Sequence, residues 1–405
     1  MRFAATIMVL VSASAAIAAA PTDEAFQQRA QRLAQEALLV DTHIDVPYRL
    51  GESWADVTSA TIDGDFDHPR AVAGGLDVAF MSIYTPAELE ASGGGAQLAH
   101  ELIDRVEALS ARAPKAFALV RSTADVRRLA APGRVLLALG MENGSPIEGQ
   151  LDNLRRFHAR GVRYVTLAHG ESNHISDSSY DEKRPWDGLS PFGVEVVREM
   201  NRLGMMVDVS HLSDAAIRDV LEASTSPVIA SHSSARHFTP DWERNLSDEL
   251  IRAIASAGGV VQINFGSSFI SAKANAWTLA EHAARDVYQM ANGLADDSEA
   301  ISAFTEKYTV EHAFPFATIA QVADHYDHIV KLVGIDHVGI GSDFDGVGPS
   351  LPIGLKSVAD YPNLVAELMR RGYSDAELRK LLGGNVMRVW AEVERRAAAA
   401  EHASG

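Results

Sequence analysis

The run Leu38-Leu39-Val40-Asp41-Thr42-His43-Ile44-Asp45 is apolar and unbroken at its start and ends in three side chains that can ionise or bind a metal. An apolar run without alternation suits a strand buried on both faces, as in a parallel sheet covered by helices. On an extended chain, residues two apart face the same side, so His43 and Asp45 can grip one cation together. The pattern of the first run, Leu38–Thr42, recurs in seven others: Leu76–Ile83, Val135–Gly140, Val162–Ala168, Met205–Ser210, Pro227–Ser231, Gly259–Phe265 and His337–Ser342. Polar, helix-patterned segments follow them. Eight such units predict an α/β fold, a closed (β/α)8 TIM-type barrel.

A segment of about 70 residues, 266–336, separates the seventh and eighth runs and reads as a helical insertion, with helical patterns at Leu279–Met290 and Thr318–Val333. It is either one wall of a pocket or a solvated excursion. Helices over Ser357–Met369 and Ser374–Ala397 are expected to complete the outer ring, with Gly383-Gly384-Asn385 at a bend.

The chain has 405 residues, 47% hydrophobic and 22% charged, a globular composition that one barrel domain over 21–395 can absorb. A net charge of −18 repels nucleic acid. With no cysteine, thiolate nucleophiles and thiolate metal sites are excluded, and any metal must sit on His, Asp or Glu. Arg2 precedes an uncharged, alanine-rich stretch, Phe3–Ala20, that ends in small-x-small patterns. Residues 1–20 therefore read as a signal peptide, and the mature chain as periplasmic or extracellular without stable membrane insertion. The alanine-rich end, 396–405, reads as disordered.

Titratable side chains close most of the runs: Glu142 after the third, His169 after the fourth, His211 after the fifth, His232 after the sixth and Asp343 after the eighth. Strand ends on this side of a barrel are where catalytic groups gather. Taken singly, each has a structural explanation as a packed imidazole or a helix cap. Together, imidazoles and carboxylates without cysteine suit a borderline cation, most often zinc. An HxD pair, a carboxylate able to bridge and two later histidines provide ligands for two metals about 3.5–4 Å apart. Asp208 and Asp345 read as supporting hydrogen-bond groups, and His174, Asp177 and Ser178 as shaping the pocket. His237 reads as exposed, and Arg236 competes with Arg244 as a carboxylate clamp.

These motifs, with Asp41-Thr42-His43-Ile44-Asp45, Gly140-Met141-Glu142, Val207-Asp208-Val209-Ser210-His211, Ser231-His232-Ser233-Ser234-Ala235, Arg244-Asn245 and Gly341-Ser342-Asp343-Phe344-Asp345-Gly346, resemble the membrane (renal) dipeptidase family within the amidohydrolase-like barrels. The resemblance spans nearly the whole mature chain. It implies a metallo-dipeptidase with two Zn2+ per chain: His43 and Asp45 on the first, His211 and His232 on the second, Glu142 and a water or hydroxide bridging them. It further implies that His169 and Arg244 contact substrate and that Asp343 handles protons. Small dipeptides, some with a D-residue at the C-terminal position, are the implied substrates, and a homodimer is expected by analogy. Mammalian members carry a disulfide and a glycolipid anchor; without cysteine or an apolar C-terminal tail, this chain is expected to be a soluble relative.

The residue chemistry agrees. Water on zinc is nucleophilic near neutral pH, His169 can stabilise an oxyanion, Asp343 is a proton acceptor at pH 7, and Arg244 matches a free carboxylate. A hydrolase acting on lactones, cyclic amides or N-acyl amino acids is an alternative, as is a non-catalytic periplasmic binding protein.

Overall fold

The computed structural model describes residues 23–295 and 298–404. The signal-peptide reading of residues 1–20 lies outside the described residues. Among the described residues, nine strands form one parallel sheet: β1 Leu39–Ile44, β2 Leu76–Tyr84, β3 Phe117–Leu119, β4 Val135–Glu142, β5 Val162–Thr166, β6 Met206–Asp208, β7 Ile229–Ala230, β8 Val260–Ile263 and β9 Val338–Ile340. Eight follow in the order β1-β2-β4-β5-β6-β7-β8-β9. A parallel bridge between Ile44 and Phe344 closes the ring, with Asp45 N donating to Phe344 O at 2.9 Å and Asp343 N to His43 O at 3.1 Å. All eight apolar runs are barrel strands, as a (β/α)8 barrel requires.

β3 was not legible as a strand, because its apolar core is only three residues long. It exists because β4 starts before its neighbour does: β5 first pairs at Leu139, which leaves the edge of Val135–Leu137 open, and Phe117–Leu119 fills it. Backbone groups buried away from water need such partners.

Inside the ring, Val40, Val78, Phe80, Leu136, Ala138, Tyr164, Met206, Ile229 and Val260 form one cluster with Val386, Val389, Trp390 and Val393 of the C-terminal helix Asn385–Ser404. That helix plugs the barrel floor. It begins after a π-helical segment, Lys380–Gly384, at the expected bend. The alanine-rich end expected to be disordered is instead helical as far as Ser404, in keeping with alanine's high helix propensity. A column of rings rises from the floor, Trp390 to Phe80 at 5.3 Å and Phe80 to Tyr164 at 5.5 Å between centroids. Room for the Tyr164 ring comes from Gly140, where a Cβ would lie 1.9 Å from the Tyr164 Cζ.

The insertion is one wall of the pocket, not a solvated excursion. Its helices span Ser267–Ile270, Ala272–Asn292, Glu299–Glu311 and Ile319–Val333, and Ser268, Phe269, Asn275, Thr278, Leu279 and His282 face the cavity over the barrel. Buried His325 anchors it: Ala235 N donates to Nδ1 at 3.1 Å, and Nε2 donates to Ile270 O at 3.1 Å. Before β2, a short helix, His68–Gly74, is capped by Asp67.

Gly140→Ala should lower unfolding free energy by about 2–3 kcal/mol, because the methyl group would have to displace a packed ring. Urea denaturation checks this, and a midpoint equal to wild type would contradict it.

Candidate active site

The expected ligand residues, His169 and Asp343 lie at or just beyond the strand ends that carry the pocket, and Arg244 lies on the loop after β7. His43 is near the end of β1, and Asp45 precedes the helix Val46–Glu52. Their side chains converge as the alternation predicts, with His43 Nε2 3.4 Å from Asp45 Oδ2. Glu142 ends β4 and lies between two sets of imidazoles. Its Oε2 is 3.2 Å from His43 Nε2, while Oε1 is 3.2 Å from His211 Nε2, 3.3 Å from His232 Nε2 and 3.5 Å from His169 Nε2. Two ligand groups result, His43-Glu142-His232 and Glu142-His169-His211, with a third, His43-Asp45-Asp343, alongside.

Hydrogen bonds behind the rings decide which nitrogens face the centre. Tyr164 Oη donates to Thr42 O at 2.9 Å, so at 2.8 Å from His43 Nδ1 it accepts the ring proton and leaves the Nε2 lone pair free. Ser231 Oγ donates to Asp208 Oδ2 at 2.6 Å and accepts from His232 Nδ1 at 2.7 Å, with the same result. Fixing the tautomer of a ligating histidine in this way is usual at metal sites. Asp208 also accepts from Ser231 N, Ser210 N and Thr166 Oγ1, the supporting role expected of it.

The backbone is bent to purpose at two of these positions. His211 and Asp343 have φ of 69° and 63°, left-handed values uncommon for non-glycine residues. Asp343 is held by Asn264, whose Nδ2 donates to Oδ2 at 2.6 Å. Gly346 packs so closely that a Cβ there would come within 2.2 Å of Asp343 Oδ1 and 2.4 Å of Asp45 Oδ2.

The donor set fits divalent cations. His43 Nε2 and Asp45 Oδ2 are buried without hydrogen-bond partners, and His211 Nε2 and His232 Nε2 face each other at 2.9 Å. Burial holds His211 and His232 well below the usual imidazole range, favouring the neutral, ligating form. Burial, reinforced by the carboxylates of Asp45 and Glu142, pushes Asp343 up to about 8. The expectation that Asp343 accepts protons at pH 7 therefore requires cationic charge in the site to bring it down.

The remaining residues also find their places. Arg244 is buried, donating from Nη1 to Ser233 Oγ at 2.8 Å and from Nη2 to His232 O at 3.0 Å, with Nε left unpartnered. Arg236 is engaged by both oxygens of Asp214. His237 is exposed, as expected. His174 pairs with Glu90, and Asp177 accepts from Gly188 N, so both shape the loop over the site. Asp345 accepts from Asp65 N and pairs with Arg49.

Four contributors were not singled out from sequence. Tyr164 and Asn264 sit inside strand runs, where they read as core. Ser82, donating to Glu142 Oε2 at 3.0 Å, is similarly placed. Asp41 was quoted as motif without a role: its Oδ1 accepts from His43 N and Ser342 N and its Oδ2 from Tyr361 Oη, tying β1 to the end of β9. The alternation of Tyr164 with Gly140 across two neighbouring strands was the one available signal.

The cavity encloses about 770 Å³ and runs from Glu142, His169 and His211 outward to the insertion. A closed parallel barrel with imidazoles and carboxylates gathered over its strand ends defines a metal-dependent hydrolase of the amidohydrolase-like fold. Residues 27–404 match the membrane dipeptidase family, peptidase family M19, and the chain belongs to that family of metallo-dipeptidases. An uncharacterized dipeptidase of Schizosaccharomyces pombe is 32% identical over 391 residues, covering 92% of this chain and 84% of that protein. The probable dipeptidase PvdM from Pseudomonas aeruginosa superposes with a TM-score of 0.80 at 30% identity, over 92% of this chain and 99% of that one. A metallo peptidase from Rhodobacter sphaeroides, liganded with a phosphinate mimic of the dipeptide L-Ala-D-Ala, gives 0.72 at 26% identity, over 88% and 99%.

Tyr164→Phe keeps the packed ring and removes the partner of His43 Nδ1. Zinc affinity, measured by chelator competition, should fall about 10–100-fold; an unchanged affinity would show that the hydroxyl does not orient the imidazole.

Proposed function

We propose that the chain hydrolyses small dipeptides, including ones with a D-residue at the C-terminal position, using two zinc ions. His43, Asp45 and Glu142 would hold one, and Glu142, His211 and His232 the other. The observation that carries this reading is Glu142, whose two oxygens face different imidazoles, Oε2 toward His43 and Oε1 toward His211 and His232. Zinc in such a site supplies Lewis acidity and lowers the pKa of water toward neutrality.

The protein's own groups do the rest. Asp343, held by Asn264, would take the proton of the attacking water and deliver it to the departing amine. His169, between the edge of Tyr84 at 4.8 Å and His211 at 4.1 Å, is positioned to donate to the developing oxyanion. Arg244, with Nε free, would bind the substrate's terminal carboxylate and so restrict cleavage to short peptides. The ligand named for the Rhodobacter relative, a mimic of L-Ala-D-Ala, supports the D-residue. The amino-terminal apolar stretch supports export, and family analogy a homodimer. No helix among the described residues is long and apolar enough to cross a membrane.

Elemental analysis of purified protein should find close to two zinc equivalents per chain, and L,L and L,D dipeptides should both be cleaved until a chelator strips the metal. A single equivalent in fully active protein would refute the paired site. Arg244→Met should raise KM for free dipeptides roughly 100-fold, the loss of a charged, bidentate contact. A lactone lacking a carboxylate would be scarcely affected, which separates the dipeptidase from the lactonase alternative.

A further inference from the structure

Tyr180 stands at the mouth of the same cavity, on the loop between β5 and the helix Pro191–Leu203. Its ring is part-exposed, at 44%, and the nearby Arg244 guanidinium opposes the rise that burial gives its hydroxyl pKa. The ring lies 5.7 Å from that of His211 and edge-on to Trp242 at 6.2 Å.

This placement is built from several directions. Ser179 N donates to His211 O at 2.7 Å, and Tyr180 N donates to Ser178 Oγ at 3.2 Å. Ser178 Oγ in turn donates to His169 O. Farther along the loop, Arg184 Nη2 donates to Glu243 Oε2 at 2.8 Å, and Glu243 is the residue preceding Arg244. The loop carrying the phenol is therefore tied both to the strand ends bearing His169 and His211 and to the segment bearing the guanidinium.

We propose that Tyr180 is a substrate-binding residue that completes, with Arg244, a two-sided clamp for the carboxylate of the substrate. The proposal rests on the dipeptidase reading above. A phenol beside the Arg244 guanidinium stands where a substrate carboxylate would meet that cation, and its hydroxyl can donate to a carboxylate oxygen when substrate arrives. Because the ring is partly exposed, it can move aside to admit the ligand without disturbing buried packing. A phenol also suits this task better than a second cation: it adds a donor without adding positive charge beside the metal-binding imidazoles.

The test is equilibrium binding to the zinc-loaded protein of a phosphinate dipeptide mimic with a free carboxylate and, separately, of its C-terminal carboxamide. Tyr180→Phe retains the ring against His211 and Trp242 and removes only the hydroxyl. It should weaken binding of the acid about tenfold, the usual effect of losing a hydrogen bond to a charged group, and that of the carboxamide less than twofold. Equal affinity of wild type and Tyr180→Phe for the acid overturns the clamp alone. Equal weakening of acid and carboxamide also overturns it, because it assigns the hydroxyl a structural role. A mimic that fails to bind wild type sinks the dipeptidase reading and the clamp together.

Discussion

The hydrogen bond from His43 Nδ1 to the Tyr164 hydroxyl joins the barrel's packing to its chemistry. Beneath it, Tyr164, Phe80 and Trp390 form a continuous aromatic column down to the helix that plugs the floor. Above it, His43 stacks on His232 with ring centroids 3.8 Å apart. A core packed to solid density does not yield continuously, so the imidazole at the top of the column inherits the rigidity of the floor. Gly140 is the local price of that arrangement, since no side chain fits where the phenol ring passes.

Electrostatics adds a second constraint. Four imidazoles and the carboxylates of Asp45, Glu142 and Asp343 share one partly dry space. Burial, with repulsion from the Asp45 and Glu142 carboxylates added to it, pushes Asp343 up to about 8. Removing charge from water is costly unless it is paired. The cluster is thus arranged for cations, and the barrel tolerates its cost because the strands and the floor helix supply a large apolar core elsewhere.

The pocket is shared between the barrel and its excursions. Barrel strands place the chemistry, while the insertion and the Tyr180 loop supply the walls that meet the rest of a substrate. Rigid strand ends with variable loops around them is the usual division of labour in this architecture. Arg244 braces the segment after β7 through Ser233 and His232, with its Nε left unpartnered.

The barrel and its candidate metal ligands were legible in the chain because two local rules coincide there. Doubly buried parallel strands must be apolar throughout, and catalytic groups can only project where those strands end, so each run announces both a strand and a candidate ligand. His43, Asp45, Glu142, His169, His211, His232 and Asp343 were all found that way. What only the tertiary structure decided is whatever depends on distance across the ring: the short β3 beside β4, the support given by Tyr164, Asn264 and Asp41, the engagement of Arg236 by Asp214, and the insertion as a wall. None of these follows from local pattern, because a buried tyrosine or asparagine reads the same whether it fills space or holds a ligand. Its partner, which lies tens or hundreds of residues away in the chain, is set by closure of the barrel.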